Sequence, residues 1–110
     1  MVEILRIIDP RGKTVILSIE QWENHILDEH QDMIDELPEI EDTIKNPYLG
    51  LIFSDALKDY RNIYYRKQNE SYYIKVVVDF AVDGVGAIVT AFRADSCKKG
   101  EKLIWTQLNN

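Results

Sequence analysis

Residues 62–94 decide the fold of this chain, and their sequence is NIYYRKQNESYYIKVVVDFAVDGVGAIVTAFRA. This stretch contains three runs rich in β-branched and aromatic residues, which are typical of β-strands: 62–67, 72–80 and 86–94. The segments between them, 68–71 and Asp83-Gly84, consist of turn-forming residues. Short turns join neighbouring antiparallel strands, so the stretch predicts a three-stranded antiparallel meander.

Upstream of the meander, the sequence predicts a hairpin followed by a helix. Asp9-Pro10-Arg11-Gly12 has the composition of a type I turn and separates two short apolar runs, 2–8 and 14–17. Ser18 and Gln21 have the spacing of a capping box, and Leu17 can pack on Trp22 as a hydrophobic staple. We therefore expect a helix that begins at Ile19 and extends to about residue 30.

A second helical segment is predicted to begin near Pro38 and to end at Asn46-Pro47. Residues 48–53 fit either a short strand or an ordered loop, and 103–106 fit a last strand. The order of hairpin, helices and strands predicts an α+β fold, with the hairpin and helices packed on one face of an antiparallel sheet. The length of 110 residues predicts a single domain over 1–110.

Composition and charge exclude several classes of protein. The net charge is −6, and the segment 14–44 contains ten acidic residues and no Lys or Arg, which argues against a protein that coats DNA. Residues 61–110 hold eight basic residues against five acidic ones, so the net charge does not exclude a local basic patch in this half of the chain. Cys97 is the only cysteine, which excludes a disulfide framework and a cysteine-based zinc site, and we interpret it as an incidental loop thiol. No metal or cofactor is expected.

The chain also lacks the sequence pattern of a membrane protein. No apolar run approaches the ~18 residues of a membrane span, and residues 1–4 have no basic start of a signal peptide. These observations predict a cytoplasmic protein without membrane contact.

Strand alternation assigns side chains to the two faces of the meander, because successive residues point to opposite sides. Turns centred on Asn69-Glu70 and Asp83-Gly84 predict a core face, on which helix 19–30 packs, made of Ile63, Tyr65, Ile74, Val76, Val78, Phe80, Val89 and Ala91. The opposite face is predicted to hold Tyr64, Arg66, Tyr73, Lys75, Thr90 and Phe92. Cations, phenols and a hydroxyl in this mixture suit a phosphate and a stacked base, although they are also common on an ordinary solvent-exposed sheet. A slip of one residue would exchange the two faces.

The chain has two histidines, His25 and His30, five residues apart. On a regular helix this spacing separates them by about 140°, so we do not expect a zinc site between them. Either residue can be an ordinary helix residue or a proton-transfer group, since imidazole titrates near neutral pH.

Six short motifs follow one another along the chain, and their order carries a resemblance to a known family. They are Trp22-Glu23-Asn24-His25-Ile26 with His30, Ile44-Lys45-Asn46-Pro47, Tyr64-Tyr65-Arg66, Val76-Val77-Val78, Val89-Thr90-Ala91-Phe92 and Lys99-Gly100-Glu101. In this order the chain resembles the phage-associated nucleases of the barnase–EndoU–colicin–RelE group, which are small α+β ribonuclease and toxin-like domains. The resemblance covers about residues 15–105. In that family Pro-Glu follows the second histidine, whereas Gln31-Asp32 follows it here.

The resemblance implies a ribonuclease whose catalytic positions are His25, His30, Arg66 and Thr90, with Tyr65 in the same matched stretch. Strand alternation adds Tyr64, Tyr73 and Lys75 as candidate substrate-binding residues. We therefore expect a metal-independent endoribonuclease that acts through the ribose 2′-OH, with an imidazole for proton transfer and cations on the phosphate. Its expected partners are RNA and a cognate antitoxin or another protein.

The competing hypothesis is a non-catalytic interaction module that keeps the fold and binds a protein through its tyrosine-rich sheet or its acidic helix. The two hypotheses differ in one geometric expectation. The nuclease requires Arg66 and Thr90 on one sheet face, with a histidine within reach of the same anion.

Overall fold

The computed structural model describes residues 2–82, 84–96 and 100–107. The interpretation of Cys97 as an incidental thiol falls outside these residues. Seven strands form one sheet in the order β1-β2-β6-β5-β4-β3-β7. Their bounds are β1 Glu3–Ile8, β2 Thr14–Ser18, β3 Leu51–Ser54, β4 Arg61–Lys67, β5 Tyr73–Asp79, β6 Val85–Ala94 and β7 Lys102–Thr106.

The predicted meander is confirmed, since β4, β5 and β6 pair antiparallel in sequence order. The hairpin of β1 and β2 is also confirmed. It joins the sheet through a parallel pairing of β2 with β6, from Thr14 opposite Val85 to Ile16 opposite Ala87. Strand β3 pairs antiparallel with both β4 and β7, so residues 51–54 are a strand within the sheet.

The first helix begins at Ile19, as the capping motif predicts, and the Ser18 hydroxyl accepts a hydrogen bond from the Gln21 backbone N–H. It consists of an α-helical turn Ile19–Gln21, a π-helical turn Trp22–Ile26 and an α-helical turn Leu27–Glu29. The π turn was not predicted, because apolar spacing alone does not distinguish it from an α-helix. The second helix, Leu37–Lys45, has Pro38 in its first turn and ends at Asn46, as predicted.

Both helices pack on the same face of the sheet, so the predicted α+β architecture is confirmed. The core between them contains Trp22 and Ile26 from the first helix and Ile40 and Ile44 from the second. The sheet supplies Ile74, Val76, Val78, Ile88 and Ala91 to the same core. We call this side of the sheet the helix face, and the other side the distal face.

A turn centred on Asn69-Glu70 predicts Tyr64 opposite Lys75 and Tyr65 opposite Ile74. This predicted pairing of β4 with β5 is wrong by one residue. Tyr64 lies opposite Val76, and Tyr65 lies opposite Lys75. The reason is the turn: Gln68 N–H donates to the Tyr72 carbonyl, and the Asn69 side chain accepts from Ser71 N–H, so one more residue lies between the strands than predicted. The slip moves Tyr64 and Arg66 to the helix face and Tyr65 and Ile63 to the distal face.

The pairing of β5 with β6 is predicted correctly at Val77, which lies opposite Thr90. A turn centred on Asp83-Gly84 also predicts Val78 opposite Val89. An irregularity after Val77 changes this pairing, and Val78 lies opposite Ile88. Among the residues that the structure describes, no helix is long and apolar enough to cross a membrane.

Candidate functional site

The distal face brings together half of the site residues that the sequence predicts. Across three neighbouring strands, Tyr65 lies opposite Lys75, and Lys75 lies opposite Phe92. Tyr73 and Thr90 lie two residues from Lys75 and Phe92 along the same two strands, so they point to the same side. Four of the eight predicted site residues therefore share this face: Tyr65, Tyr73, Lys75 and Thr90.

A buried cluster of three side chains lies at the centre of the distal face. The Lys75 ammonium donates to Glu101 Oε2 at 2.8 Å, and the Tyr65 hydroxyl donates to Glu101 Oε1 at 2.6 Å. The Lys75 and Glu101 side chains are 9% and 6% exposed, and Tyr65 is 1% exposed. This is a desolvated ion pair with both carboxylate oxygens bonded, and such a pair is kept in place because breaking it leaves a buried charge.

Aromatic rings surround the cluster. The Lys75 ammonium lies 5.7 Å from the ring centroids of both Tyr65 and Phe92, within the range of a cation–π contact. Tyr65 packs edge-on against Phe53 and Tyr73, at centroid distances of 5.9 and 6.1 Å. These contacts hold the Tyr65 phenol in one orientation, so its hydroxyl is a fixed donor.

His30 reaches the distal face from the end of the first helix. Its ring stacks on Phe92 at a centroid distance of 5.1 Å and an interplanar angle of 24°. The backbone leaves the helical conformation at His30, with φ −137° and ψ 72°, which turns the chain there. Arg93, next to Phe92, bonds to Asp32 at 3.3 Å and so ties the segment after His30 to β6.

Thr90 contributes a hydroxyl with unused hydrogen-bonding capacity. Its Oγ1 is buried and has no hydrogen-bond partner among the described residues. Buried polar atoms without a partner are rare in folded proteins, so each one is a candidate for contact with a ligand.

His25 does not join this group. Its Nδ1 lies 3.3 Å from Glu29 Oε1, one helical turn further on, and its side chain is 42% exposed. The two histidines therefore have different environments, as their spacing predicts. Within the described parts of the chain, no three histidine, cysteine, aspartate or glutamate side chains are close enough to hold a metal ion.

The expectation that Arg66 and Thr90 share a face is wrong. Arg66 lies on the helix face, opposite Ile74, because of the one-residue slip between β4 and β5. Its guanidinium bonds to two carboxylates of the second helix, Glu39 at 2.8 Å and Asp42 at 2.5 Å. Hydrogen bonds from Gln68 and from Arg66 lower the pKa of the Glu39 carboxyl. The two carboxylates thus already balance the charge of Arg66.

The prediction that Tyr64 lies on a solvent-exposed face is also wrong, because Tyr64 is fully buried in the core. Its hydroxyl donates to Asp9 Oδ2 at 2.8 Å and accepts from Arg11 at 2.9 Å. Arg11 also donates to Asn62 Oδ1 at 2.8 Å. Burial, with Asp9 beside the hydroxyl, raises the pKa of Tyr64. Tyr64 connects the hairpin turn to β4 and has a structural role.

Glu101 is the residue of this site that the sequence analysis did not select. It lies just before β7, outside the alternating part of any strand, so strand periodicity carries no information about it. The available signal was its position in Lys99-Gly100-Glu101, one of the motifs on which the resemblance rests. Its partner Lys75 is 26 residues away, and only the fold brings the two together.

Comparison with known proteins returns nothing for this chain: no family model, no curated protein and no solved structure matches it. The site must therefore be interpreted from its own geometry.

Proposed function

We propose that this protein is a metal-independent endoribonuclease of the barnase–EndoU–colicin–RelE type, and that its distal face is the active site. The observation that carries the proposal is the position of His30, stacked on Phe92, beside the face that holds Lys75, Tyr65 and Thr90. This set contains an imidazole, a cation, two hydroxyls and aromatic rings.

Cleavage through the 2′-OH needs a proton acceptor, a proton donor and a positive charge near the reacting phosphate. His30 accepts the 2′-OH proton, because a neutral imidazole is a suitable base, and the leaving 5′-oxygen takes its proton from solvent water. Lys75 is the cation, and Thr90 Oγ1 is a hydrogen-bond donor for a phosphate oxygen. Tyr73, which is partly exposed, offers a ring on which a base can stack.

This assignment differs from the one that the resemblance implies. Lys75 takes the phosphate-binding role expected of Arg66, since Arg66 lies on the opposite side of the sheet from Lys75 and Phe92. His25 and Tyr64 have no role in catalysis, because one is paired on the surface of its own helix and the other is in the core.

The two histidines make a matched test of this proposal. The purified protein is incubated with total RNA and with a short oligoribonucleotide in the presence of EDTA. We expect cleavage that leaves 2′,3′-cyclic phosphate ends and a fall of at least ~100-fold in His30→Asn, the size of effect typical of a general acid or base. The control His25→Asn should cleave as fast as the wild type.

Three results would refute the nuclease: no cleavage by the wild type, cleavage that requires a metal, or equal rates in the two variants. A 2′-deoxy substitution at the cleaved position should abolish the reaction, because it removes the nucleophile.

The second candidate is a protein-interaction module, and the burial of the Lys75–Glu101 pair favours it. In this state the cation is balanced and little of it is exposed to solvent. A wild-type protein that neither cleaves RNA nor binds a non-cleavable oligonucleotide would support this candidate.

A further inference from the structure

Two donors of the distal face converge on the two oxygens of a single carboxylate. Lys75 Nζ bonds to one oxygen of Glu101 at 2.8 Å, and the Tyr65 hydroxyl bonds to the other at 2.6 Å. All three side chains are more than nine-tenths buried. The arrangement is a preformed oxyanion site that is filled by a residue of the same chain.

We propose that Lys75 and Tyr65 form a binding site for a phosphate group, and that the Glu101 carboxylate occupies this site as an internal competitor. A phosphate also presents two neighbouring anionic oxygens, so it can accept the same two hydrogen bonds. The identity of this phosphate as part of an RNA backbone rests on the proposed function.

The bonding of Glu101 distinguishes it from a carboxylate with a purely structural role. Asp9, the buried carboxylate on the helix face, accepts five hydrogen bonds, two of them from backbone N–H groups of its own turn. Each oxygen of Glu101 accepts from one side-chain donor among the described residues. A ligand that supplies two oxygens to Lys75 and Tyr65 can replace Glu101 without breaking a backbone hydrogen bond.

The surroundings of the pair also suit an anion. An ammonium has three N–H donors, and the bond to Glu101 uses one of them. Thr90 lies on the same face, two residues before Phe92 along β6, and its buried Oγ1 has no partner among the described residues. The rings of Tyr65 and Phe92 shield Lys75 from water, which strengthens its attraction for an anion.

The test is to remove the competitor and measure binding of inorganic phosphate. Glu101→Gln leaves Lys75 without its counter-ion, so the variant should be less stable than the wild type. We expect phosphate to raise the melting temperature of Glu101→Gln by ~4 °C or more relative to sodium chloride at equal ionic strength. The variant should also bind phosphate at least ~10-fold more tightly than the wild type.

Two controls isolate the site. Asp95→Asn makes the same change of net charge at an exposed position six residues before Glu101 in the sequence, and it should not change the response to phosphate. The double variant Glu101→Gln/Lys75→Met lacks the cation and should not respond either. A response that persists in the double variant would place the phosphate elsewhere and overturn the proposal.

If Glu101→Gln does not fold in chloride, refolding in phosphate but not in chloride supports the phosphate site. For a variant that folds in neither buffer, the decisive measurement is an NMR titration of the wild type with phosphate. Shifts of the Lys75 side-chain signals would support the site, and their absence up to high phosphate concentration would overturn it.

A separate measurement tests whether the bound phosphate belongs to a nucleic-acid backbone. A non-cleavable 2′-deoxy oligonucleotide should stabilise Glu101→Gln as phosphate does, and a response to free phosphate alone would overturn that part. If phosphate stabilises the variant but the wild type cleaves no RNA, the anion site stands and the nuclease fails. If the wild type cleaves RNA but phosphate does not stabilise the variant, the nuclease stands and the anion site fails.

Discussion

Tyr64 and Tyr65 are neighbours in β4, and each hydroxyl bonds to the carboxylate of a buried ion pair on its own side of the sheet. On the helix face, Tyr64 meets Asp9 and Arg11, and on the distal face, Tyr65 meets Glu101 and Lys75. Alternation along the strand is what sends the two rings in opposite directions. A tyrosine hydroxyl, a carboxylate and a cation thus meet on each face, but the two carboxylates accept different numbers of hydrogen bonds.

The difference between the two clusters lies in what else they hold. Asp9 also accepts from the backbone N–H groups of Arg11 and Lys13, and Arg11 reaches Asn62 in β4. This cluster therefore joins the hairpin turn to the middle of the sheet. The two hydrogen bonds that Glu101 accepts among the described residues come from side chains, so another anion can replace Glu101 without breaking either of them at the backbone. This difference predicts a structural role for the Asp9 pair and a binding role for the Lys75 pair.

The largest expected effect is on the helix face. Asp9→Asn leaves Arg11 buried without a counter-ion, and we expect it to lower the free energy of unfolding by about 3–5 kcal/mol. Urea unfolding measures this loss. The control Asp59→Asn changes an exposed carboxylate and should stay within ~0.5 kcal/mol of the wild type. A loss of similar size in both variants would mean that the cluster does not hold the hairpin.

The tyrosines themselves provide the next test. Tyr64→Phe and Tyr65→Phe each remove one hydrogen bond to a carboxylate, and each should lower the free energy of unfolding by about 1.5–3 kcal/mol. Their effects on RNA cleavage should differ: Tyr65→Phe reduces it, and Tyr64→Phe leaves it unchanged at temperatures where both variants are folded. Equal losses of cleavage in the two variants would show that the distal face has no special role.

Alkaline pH tests the environment of Tyr64. The pKa of Tyr64 is raised in the folded state, so the folded protein keeps a proton that the unfolded chain loses above about pH 10. This contribution to stability is fully present below that pH and is lost as the pH rises above it. Tyr64→Phe should therefore unfold with a shallower dependence on pH between about 10 and 12, measured by urea unfolding at a series of pH values.

The smallest expected effect is at Arg66, which belongs to neither cluster. Its side chain is 35% exposed and bonds to Glu39 and Asp42, so Arg66→Ala should lower the free energy of unfolding by less than about 1 kcal/mol. The rate of RNA cleavage should be unchanged. A large loss of cleavage with normal stability would return Arg66 to the active site and refute the assignment of the cation role to Lys75.

Much of the secondary structure could be predicted from the residues because the signals are local. Ser18 caps the first helix through a bond to a residue three positions away, and Pro38 lies in the first turn of the second helix. The register of β4 could not be predicted to the residue, since it depends on how many residues the turn after Gln68 contains. That single residue moved Arg66 and Tyr64 to the helix face, and it moved Tyr65 from the predicted core face to the distal face.

By itself, the sequence determined the α+β class, the strands of the meander and the beginning of each helix, because backbone propensities and short-range hydrogen bonds act within a few residues. Only the tertiary structure decided the parallel pairing of β2 with β6, the stacking of His30 on Phe92 and the meeting of Lys75 with Glu101. Each of these contacts joins residues far apart in the chain. A periodic pattern identifies a face, but the partner of a buried charge depends on which segments the fold brings together.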